Sequence, residues 1–186
     1  MLLRRGPASQ RWRWLLRTAA ALILLQAAVP ATAGTLSKVE LEAGYVVNMV
    51  KYTEWPAAGA AGPFVIAVAG KPRVAEHLRA RLNGRQIAGR SVELITPEGP
   101  EQLPRVDVLV LGAGEDWRLD DWLGSAGGPV LTIGESPAFA RRGGIVTLVI
   151  DYDRIRFDLN MATADRAGLA INAQVQKLAK SVTRSP

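Results

Sequence analysis

The order of apolar and polar positions predicts a mixed α/β domain. Ser37–Glu40 has the form of a capping box, and an apolar band with helical spacing continues from it to about Thr53. Further along, short apolar runs alternate with helical stretches. Strands are predicted at Phe64–Ala69, Ser91–Ile95, Val106–Leu111 and Pro129–Ile133, and helices at Val74–Leu82 and Asp116–Leu123. This alternation is typical of a parallel sheet that is covered by helices on both faces.

The pattern changes after the fourth predicted strand. Ser136-Pro137 predicts a short helix through Arg141, and residues 144–150 and 154–159 are predicted to pair as an antiparallel hairpin. Helices are predicted at Met161–Ala167 and Ala173–Val182, the latter with Val175, Leu178, Ala179 and Val182 facing inward. The predicted fold is therefore α/β, a three-layer sandwich with a mostly parallel sheet, helices on both faces and a C-terminal antiparallel hairpin.

Residues 1–33 have the pattern of a secretory signal peptide. Five arginines precede the uncharged run Thr18–Val29, and Ala31–Ala33 supplies the small-x-small pattern of a cleavage site. The apolar run is shorter than the roughly 17–25 residues of a transmembrane helix, so a retained anchor is the weaker alternative. We expect cleavage between Ala33 and Gly34, which leaves a single exported domain over residues 34–186.

Most of the net positive charge of the chain lies in the predicted signal peptide. The chain carries 23 Lys and Arg residues and 17 Asp and Glu residues, a net charge of +6. Five of the basic residues and none of the acidic ones lie in residues 1–33, which leaves 18 and 17, a net charge of +1. A nucleic-acid partner is therefore not expected, because the basic surface that it needs is removed with the signal peptide.

Few kinds of catalytic chemistry fit this composition. The absence of cysteine excludes disulfides, thiol nucleophiles and thiolate metal sites, and a single histidine, His77, excludes a multi-histidine centre. Gly134–Ala138 is similar to a nucleophile elbow, but Ala138 replaces the last glycine and His77 lies before the serine. Ser136 is therefore predicted to cap a helix, and a hydrolase is the least favoured function. We expect no enzyme, no metal and no cofactor.

Two segments together resemble a known family. The first is Leu41–Pro56, which ends in Lys-Tyr-Thr-Glu-Trp-Pro. The second begins with Leu131-Thr-Ile-Gly-Glu, continues through Phe139 and Gly143-Gly144, and runs into residues 154–160 and 166–169. In order and spacing these segments closely resemble the YfiR-like family of small exported bacterial proteins.

The resemblance implies a periplasmic α/β domain that often forms homodimers. It also implies a regulator that binds the periplasmic region of an inner-membrane signalling protein and represses it, a diguanylate cyclase in the best-understood case. An outer-membrane lipoprotein would release the repression, which links envelope state to cyclic di-GMP and biofilm formation. Disulfide control, known in some relatives, is not available to this cysteine-free chain.

A second functional hypothesis is a small-ligand sensor that acts with a sensor kinase or an outer-membrane receptor. Its pocket would lie at the carboxyl ends of the strands, among the loops around Gly70, Gly112 and Gly134. A thermal shift with one metabolite would favour this hypothesis over the regulator.

Candidate binding residues follow from the shared segments. Asn48 and Lys51 lie about one turn apart on the less apolar side of the first helix, and Trp55 is either an anchor of that helix or an interface residue. Gly143-Gly144 is predicted to form a tight turn. The residues predicted to contact a partner or ligand are Tyr45, Asn48, Lys51, Trp55, Arg141 and Arg142.

Overall fold

The computed structural model describes residues 37–56, 62–151 and 154–184. The predicted signal peptide and its cleavage site between Ala33 and Gly34 lie outside these residues and stay predictions, as does the domain boundary.

The helices are α1 (Lys38–Lys51), α2 (Pro72–Leu82), α3 (Leu119–Ser125), α4 (Met161–Arg166) and α5 (Ala173–Leu178). The strands are β1 (Thr53–Glu54), β2 (Phe64–Ala69), β3 (Gln86–Ile87), β4 (Arg90–Ile95), β5 (Val108–Leu111), β6 (Leu131–Gly134), β7 (Val146–Asp151), β8 (Arg154–Asn160), β9 (Ala170–Ile171) and β10 (Ser181–Thr183).

Local sequence signals explain where the first helix begins. The Ser37 hydroxyl accepts from the Glu40 amide, and the Glu40 carboxylate accepts from the Ser37 amide at 2.8 Å, so the predicted capping box is present. The apolar band of α1 is buried at Ala43, Val46 and Val50. Burial of this face against the sheet, rather than intrinsic helix propensity, holds the helix in place.

Eight of the strands form one mixed sheet in the order β10-β8-β7-β6-β5-β2-β4-β3. The pairs β7–β8 and β3–β4 are antiparallel, and the other neighbours in this sheet are parallel. β1 and β9 pair antiparallel with each other, with Thr53 opposite Ile171. The mixed α/β class and the antiparallel pairing of β7 with β8 are confirmed.

The core lies on both faces of the sheet. Along β2, Phe64, Ile66 and Val68 belong to one apolar cluster, which includes residues of α1 and α2. Ala67 and Ala69 belong to a second cluster, which includes residues of α3. The prediction of a mostly parallel three-layer sandwich is confirmed in part, because the antiparallel edge pair β3–β4, the parallel edge strand β10 and the separate β1–β9 pair add to that plan.

Two local predictions are wrong. Residues 137–143 form turns rather than a helix, and the Ser136 hydroxyl accepts from the Ala138 amide at 3.2 Å within those turns. The predicted last helix ends at Leu178, which is 76% exposed rather than inward. The chain turns away there because the Lys180 amide donates to the Phe157 carbonyl at 2.8 Å and β10 then pairs with β8.

Candidate functional site

One candidate surface is a groove of about 730 Å³ between α1, β8 and α5. Tyr45 forms part of its wall, because its hydroxyl donates to the Ile155 carbonyl at 2.6 Å and its ring meets Phe157 edge-on at 6.2 Å. Asn48 is exposed on the same helix. We call this surface the α1–β8 groove; its lining residues are Tyr45, Asn48, Met49, Tyr52, Ile155, Arg156, Phe157, Val175, Leu178, Ala179 and Lys180.

The α1–β8 groove combines exposed apolar side chains with positive charge. Among the described residues, three large hydrophobic side chains are exposed, and two of them, Tyr52 and Leu178, line this groove. Its charged lining residues are Arg156 and Lys180, and no carboxylate is among its lining residues. A surface of this kind favours a partner that presents apolar and acidic groups.

Lys51 and Trp55 lie in a different groove, of about 610 Å³, between the C-terminal ends of α1 and α2. The Trp55 indole donates to the Asp107 carbonyl at 3.2 Å and packs edge-on against Phe64 at 4.9 Å. The Asp107 carboxylate itself accepts from the two terminal guanidinium nitrogens of Arg90, at 2.7 and 2.9 Å. These contacts anchor the segment after α1 to the sheet, and a binding role for Trp55 stays a prediction.

The neighbouring arginines 141 and 142 have different surroundings. Arg142 donates to the Asp120 carboxylate at 2.8 Å and to the Asp116 carbonyl at 3.0 Å, which ties the turn after β6 to the start of α3. The hydrogen bond from Arg142 lowers the pKa of Asp120 below its usual value. Arg141 lines a separate pocket of about 380 Å³ with Asn160 and Arg166. The structure therefore does not bring the six predicted residues together.

A buried ionic cluster lies at the carboxyl ends of the parallel strands. Lys71, which follows β2, donates to Glu42 of α1 and lies 2.7 Å from Glu135, which follows β6. Glu42 is only 2% exposed, and this burial raises the pKa of its carboxyl group, although the Lys71 ammonium opposes the shift. This cluster was not predicted from the sequence, where Glu42 within the apolar band of α1 was the available signal.

The space predicted for a ligand pocket is partly filled by the protein itself. A Cβ atom on Gly112 would lie 2.9 Å from the Gly70 carbonyl oxygen, and one on Gly134 would lie 2.5 Å from the Phe139 ring. A groove of about 450 Å³ is present beside Gly70. It is lined by charges of both signs: Lys71, Glu76, Arg79, Glu98 and Glu115.

Ser136 and His77, the residues considered for catalysis in the sequence, lie in ordinary structural positions. Ser136 is 5% exposed within the turn after β6, and His77 is half-buried on α2. Within residues 37–56, 62–151 and 154–184, no group of three His, Cys, Asp or Glu side chains is placed to hold a metal ion. In the same ranges, no helix is both long and apolar enough to cross a membrane.

The comparison with protein families decides the relationship. The model of the family described as YfiR/HmsC-like matches residues 39–180. The chain belongs to the YfiR/HmsC-like family. This assignment confirms the resemblance drawn from the two sequence segments, and the matched range contains every candidate binding residue. Members of the YfiR/HmsC-like family are periplasmic and act as regulators rather than enzymes.

Two solved structures are similar to this chain, and only the one from Vibrio cholerae supports the fold. A conserved domain protein from Vibrio cholerae is 14% identical, with a TM-score of 0.53, and the match covers 79% of this chain and 60% of that one. The ABC domain from Streptococcus pneumonia, solved in complex with L-Trp, is 12% identical with a TM-score of 0.49 over 77% of this chain and 60% of that one. This YfiR/HmsC-like chain thus spans about 60% of the length of each structure. No curated protein matches it.

Proposed function

We propose that this protein represses an inner-membrane diguanylate cyclase by binding the periplasmic region of that enzyme through the α1–β8 groove. The observation that carries the proposal is the concentration of exposed Tyr52 and Leu178 beside two cations in one groove. Membership of the YfiR/HmsC-like family supports a regulatory role in the periplasm. The diguanylate cyclase is the specific partner that this proposal adds.

Physical chemistry gives the parts of the groove different roles in binding. Complete burial of a side chain such as Leu178 contributes about 1.5–3 kcal/mol, so Leu178 is the expected anchor. Arg156 and Lys180 would meet acidic groups of the partner, which steers association and fixes its orientation more than it adds affinity. Asn48 offers an exposed amide on the same surface.

Repression would operate by occupancy. A bound domain stabilises whichever arrangement of the cyclase's periplasmic region it prefers, and the equilibrium shifts by the difference in affinity between the two arrangements. An outer-membrane lipoprotein that binds the same domain would compete for it and restore cyclase activity. We also propose that the domain acts as a homodimer and that Lys51 and Trp55 provide a second contact surface.

The proposal is tested by placing a photo-crosslinking amino acid at position 178 in cells that express the full chain. Leu178 is exposed and lies in the groove, so we expect a crosslink to an inner-membrane protein that carries a diguanylate cyclase domain. Trp117 is a matched control, because it is 78% exposed but lies outside the groove. Mass spectrometry of the adducts identifies the crosslinked protein.

The two positions distinguish the possible results. A cyclase adduct at position 178 and none at position 117 supports the proposal. An adduct at position 117 alone would move the interface to another surface, and no cyclase adduct at position 178 would contradict the proposal.

The alternative function is a small-ligand sensor, and the groove beside Gly70 is the observation that favours it. This groove lies at the carboxyl ends of β2 and β4, where open α/β sheets usually bind ligands. Its mixed charges, including Arg79 and Glu98, suit a small molecule that carries both charge signs. A rise in melting temperature that one metabolite causes and Arg79→Ala abolishes would favour the sensor.

A further inference from the structure

The pocket that contains Arg141 is built from four separate segments of the chain. Arg141 comes from the turn after β6, Asn160 from the end of β8, Arg166 from α4 and Thr183 from the end of β10. The volume of about 380 Å³ suits a small group rather than a peptide segment. We call this surface the Arg141 pocket; its lining residues are Ala140, Arg141, Gly143, Asn160, Thr163, Arg166 and Thr183.

Asn160 fixes the two sides of the Arg141 pocket relative to each other. Its side-chain nitrogen donates to the Ala140 carbonyl at 3.0 Å, and its side-chain oxygen accepts from the Thr163 amide at 3.1 Å. One side chain thus joins the turn that carries Arg141 to the helix that carries Arg166. The backbones on both sides are held in place, so the two arginines need little ordering of the chain to act together.

The positive charge in the Arg141 pocket has no counter-charge among its lining residues. No carboxylate lines the pocket, and the Arg141 side chain makes no hydrogen bond or ion pair with any described residue. Arg166 donates to the Thr163 hydroxyl at 2.9 Å, which leaves most of its donors available. Arg142, the next residue after Arg141, shows the contrast, because Asp120 neutralises it.

We propose that the Arg141 pocket binds a phosphate group. Guanidinium groups bind phosphate through paired, charge-assisted hydrogen bonds, and two arginines line this pocket together with Thr163 and Thr183. A phosphate offers more acceptor oxygens than a carboxylate and so matches this number of donors better. The group comes either from a soluble phosphate or phosphate ester, or from the headgroup of a phospholipid. This inference does not depend on the proposed cyclase partner.

The test is calorimetric titration of the mature protein with inorganic phosphate at constant ionic strength. We expect saturable binding that Arg141→Ala and Arg166→Ala each weaken about tenfold or more, since each variant removes charge-assisted hydrogen bonds. Arg141→Lys keeps the charge but not the paired geometry and is expected to bind with intermediate affinity. The matched control is Arg73→Ala, at an exposed arginine of α2 outside the pocket, which is expected to bind phosphate as the wild type does.

A second arm separates the two sources of the phosphate group. The same proteins are mixed with phosphatidylcholine vesicles that contain or lack phosphatidylglycerol, and co-sedimentation is measured. Binding to inorganic phosphate and to phosphatidylglycerol vesicles, both lost in Arg141→Ala, supports the proposal with a lipid headgroup as ligand. Binding to phosphate alone, lost in the same variant, supports it with a soluble ligand.

Three results would overturn the proposal. One is the absence of saturable phosphate binding by the wild type, and another is undiminished binding by the double variant Arg141→Ala/Arg166→Ala. The third is a loss in Arg73→Ala as large as the loss in Arg141→Ala, which would indicate only general attraction of anions. Thermal unfolding of each variant separates loss of the site from loss of the fold.

Discussion

Glu42 is a charged side chain buried against the carboxyl end of the sheet. It has 2% of its surface exposed and touches Lys71, which also lies beside Glu135. Burial penalises the ionised carboxylate, whereas the nearby ammonium favours it, and the net effect is a raised pKa for Glu42. The charge of Lys38, like that of Lys71, lowers the pKa of Glu42, whereas the charge of Glu135 raises it.

The raised pKa of Glu42 predicts how stability depends on pH. The folded state holds the proton of Glu42 more tightly than the unfolded state, whose carboxyl titrates near its ordinary value of 4.5. The stability from this carboxyl is therefore fully present below that pH and is lost as the pH rises through the folded-state pKa. Glu42→Gln removes this titration. The free energy of unfolding of the wild type minus that of the variant should therefore fall as the pH rises above about 4.5.

Urea denaturation at a series of pH values measures this difference. Lys71→Met removes the opposing cation, so this variant should lose stability with rising pH more steeply than the wild type does. The free energy of unfolding of the wild type minus that of Glu42→Gln could instead stay constant or grow as the pH rises. That result would show that burial does not dominate the pKa of Glu42.

The turn between β6 and β7 explains why Phe139 is followed by two consecutive glycines. The Phe139 ring is 1% exposed and lies between Gly134 and Gly144, where an added Cβ would come within 2.5 and 2.1 Å of the ring. The Gly144 amide donates to the Phe139 carbonyl at 2.8 Å, and Gly143 has a φ of +97°. Gly143 thus allows the predicted tight turn, whereas Gly144 makes room for the phenylalanine.

Gly144→Ala should destabilise the protein because the new methyl group overlaps the Phe139 ring. Overpacking of this kind costs about 1–3 kcal/mol of the free energy of unfolding, which chemical denaturation measures. Gly127→Ala is the matched control, since nothing lies within 4 Å of a Cβ added there, and its effect should stay within about 0.5 kcal/mol. Equal stability of the wild type and Gly144→Ala would contradict this role for Gly144.

Elements with strong local signals were predictable from the sequence. The continuous apolar run Phe64–Ala69 has the predicted strand bounds, and the capping box marks the start of α1. β10 was not predictable, because Ser181–Thr183 contains one apolar residue and its pairing with β8 is a long-range contact. Because the sequence does not indicate β10, its apolar periodicity extends the predicted last helix to Val182 and places Leu178 in the core.

At the scale of the whole molecule, the α1–β8 groove exists only because distant segments meet. Tyr45 and Ile155, joined by a hydrogen bond, are 110 positions apart in the chain. The sequence could name Tyr45 and Asn48 from the first segment, but Arg156, Leu178 and Lys180 become neighbours only in the fold. The sequence motifs therefore predicted the wall of the groove that α1 forms, but not the wall that β8 and α5 form.

The cellular level of cyclic di-GMP shows whether the α1–β8 groove is needed to repress a diguanylate cyclase. A strain that lacks the protein is complemented with the wild type, with the groove variant Arg156→Glu/Leu178→Glu, or with Trp117→Glu as the exposed control. Export and the melting temperature are checked for each variant so that only folded proteins are compared.

We expect high cyclic di-GMP in the deletion strain, because the cyclase is then unrepressed. The wild type and Trp117→Glu should restore the low level, whereas the groove variant should leave it high, since it replaces the anchor and reverses one charge. An unchanged level in the deletion strain, or full repression by the groove variant, would show that the groove does not repress a diguanylate cyclase.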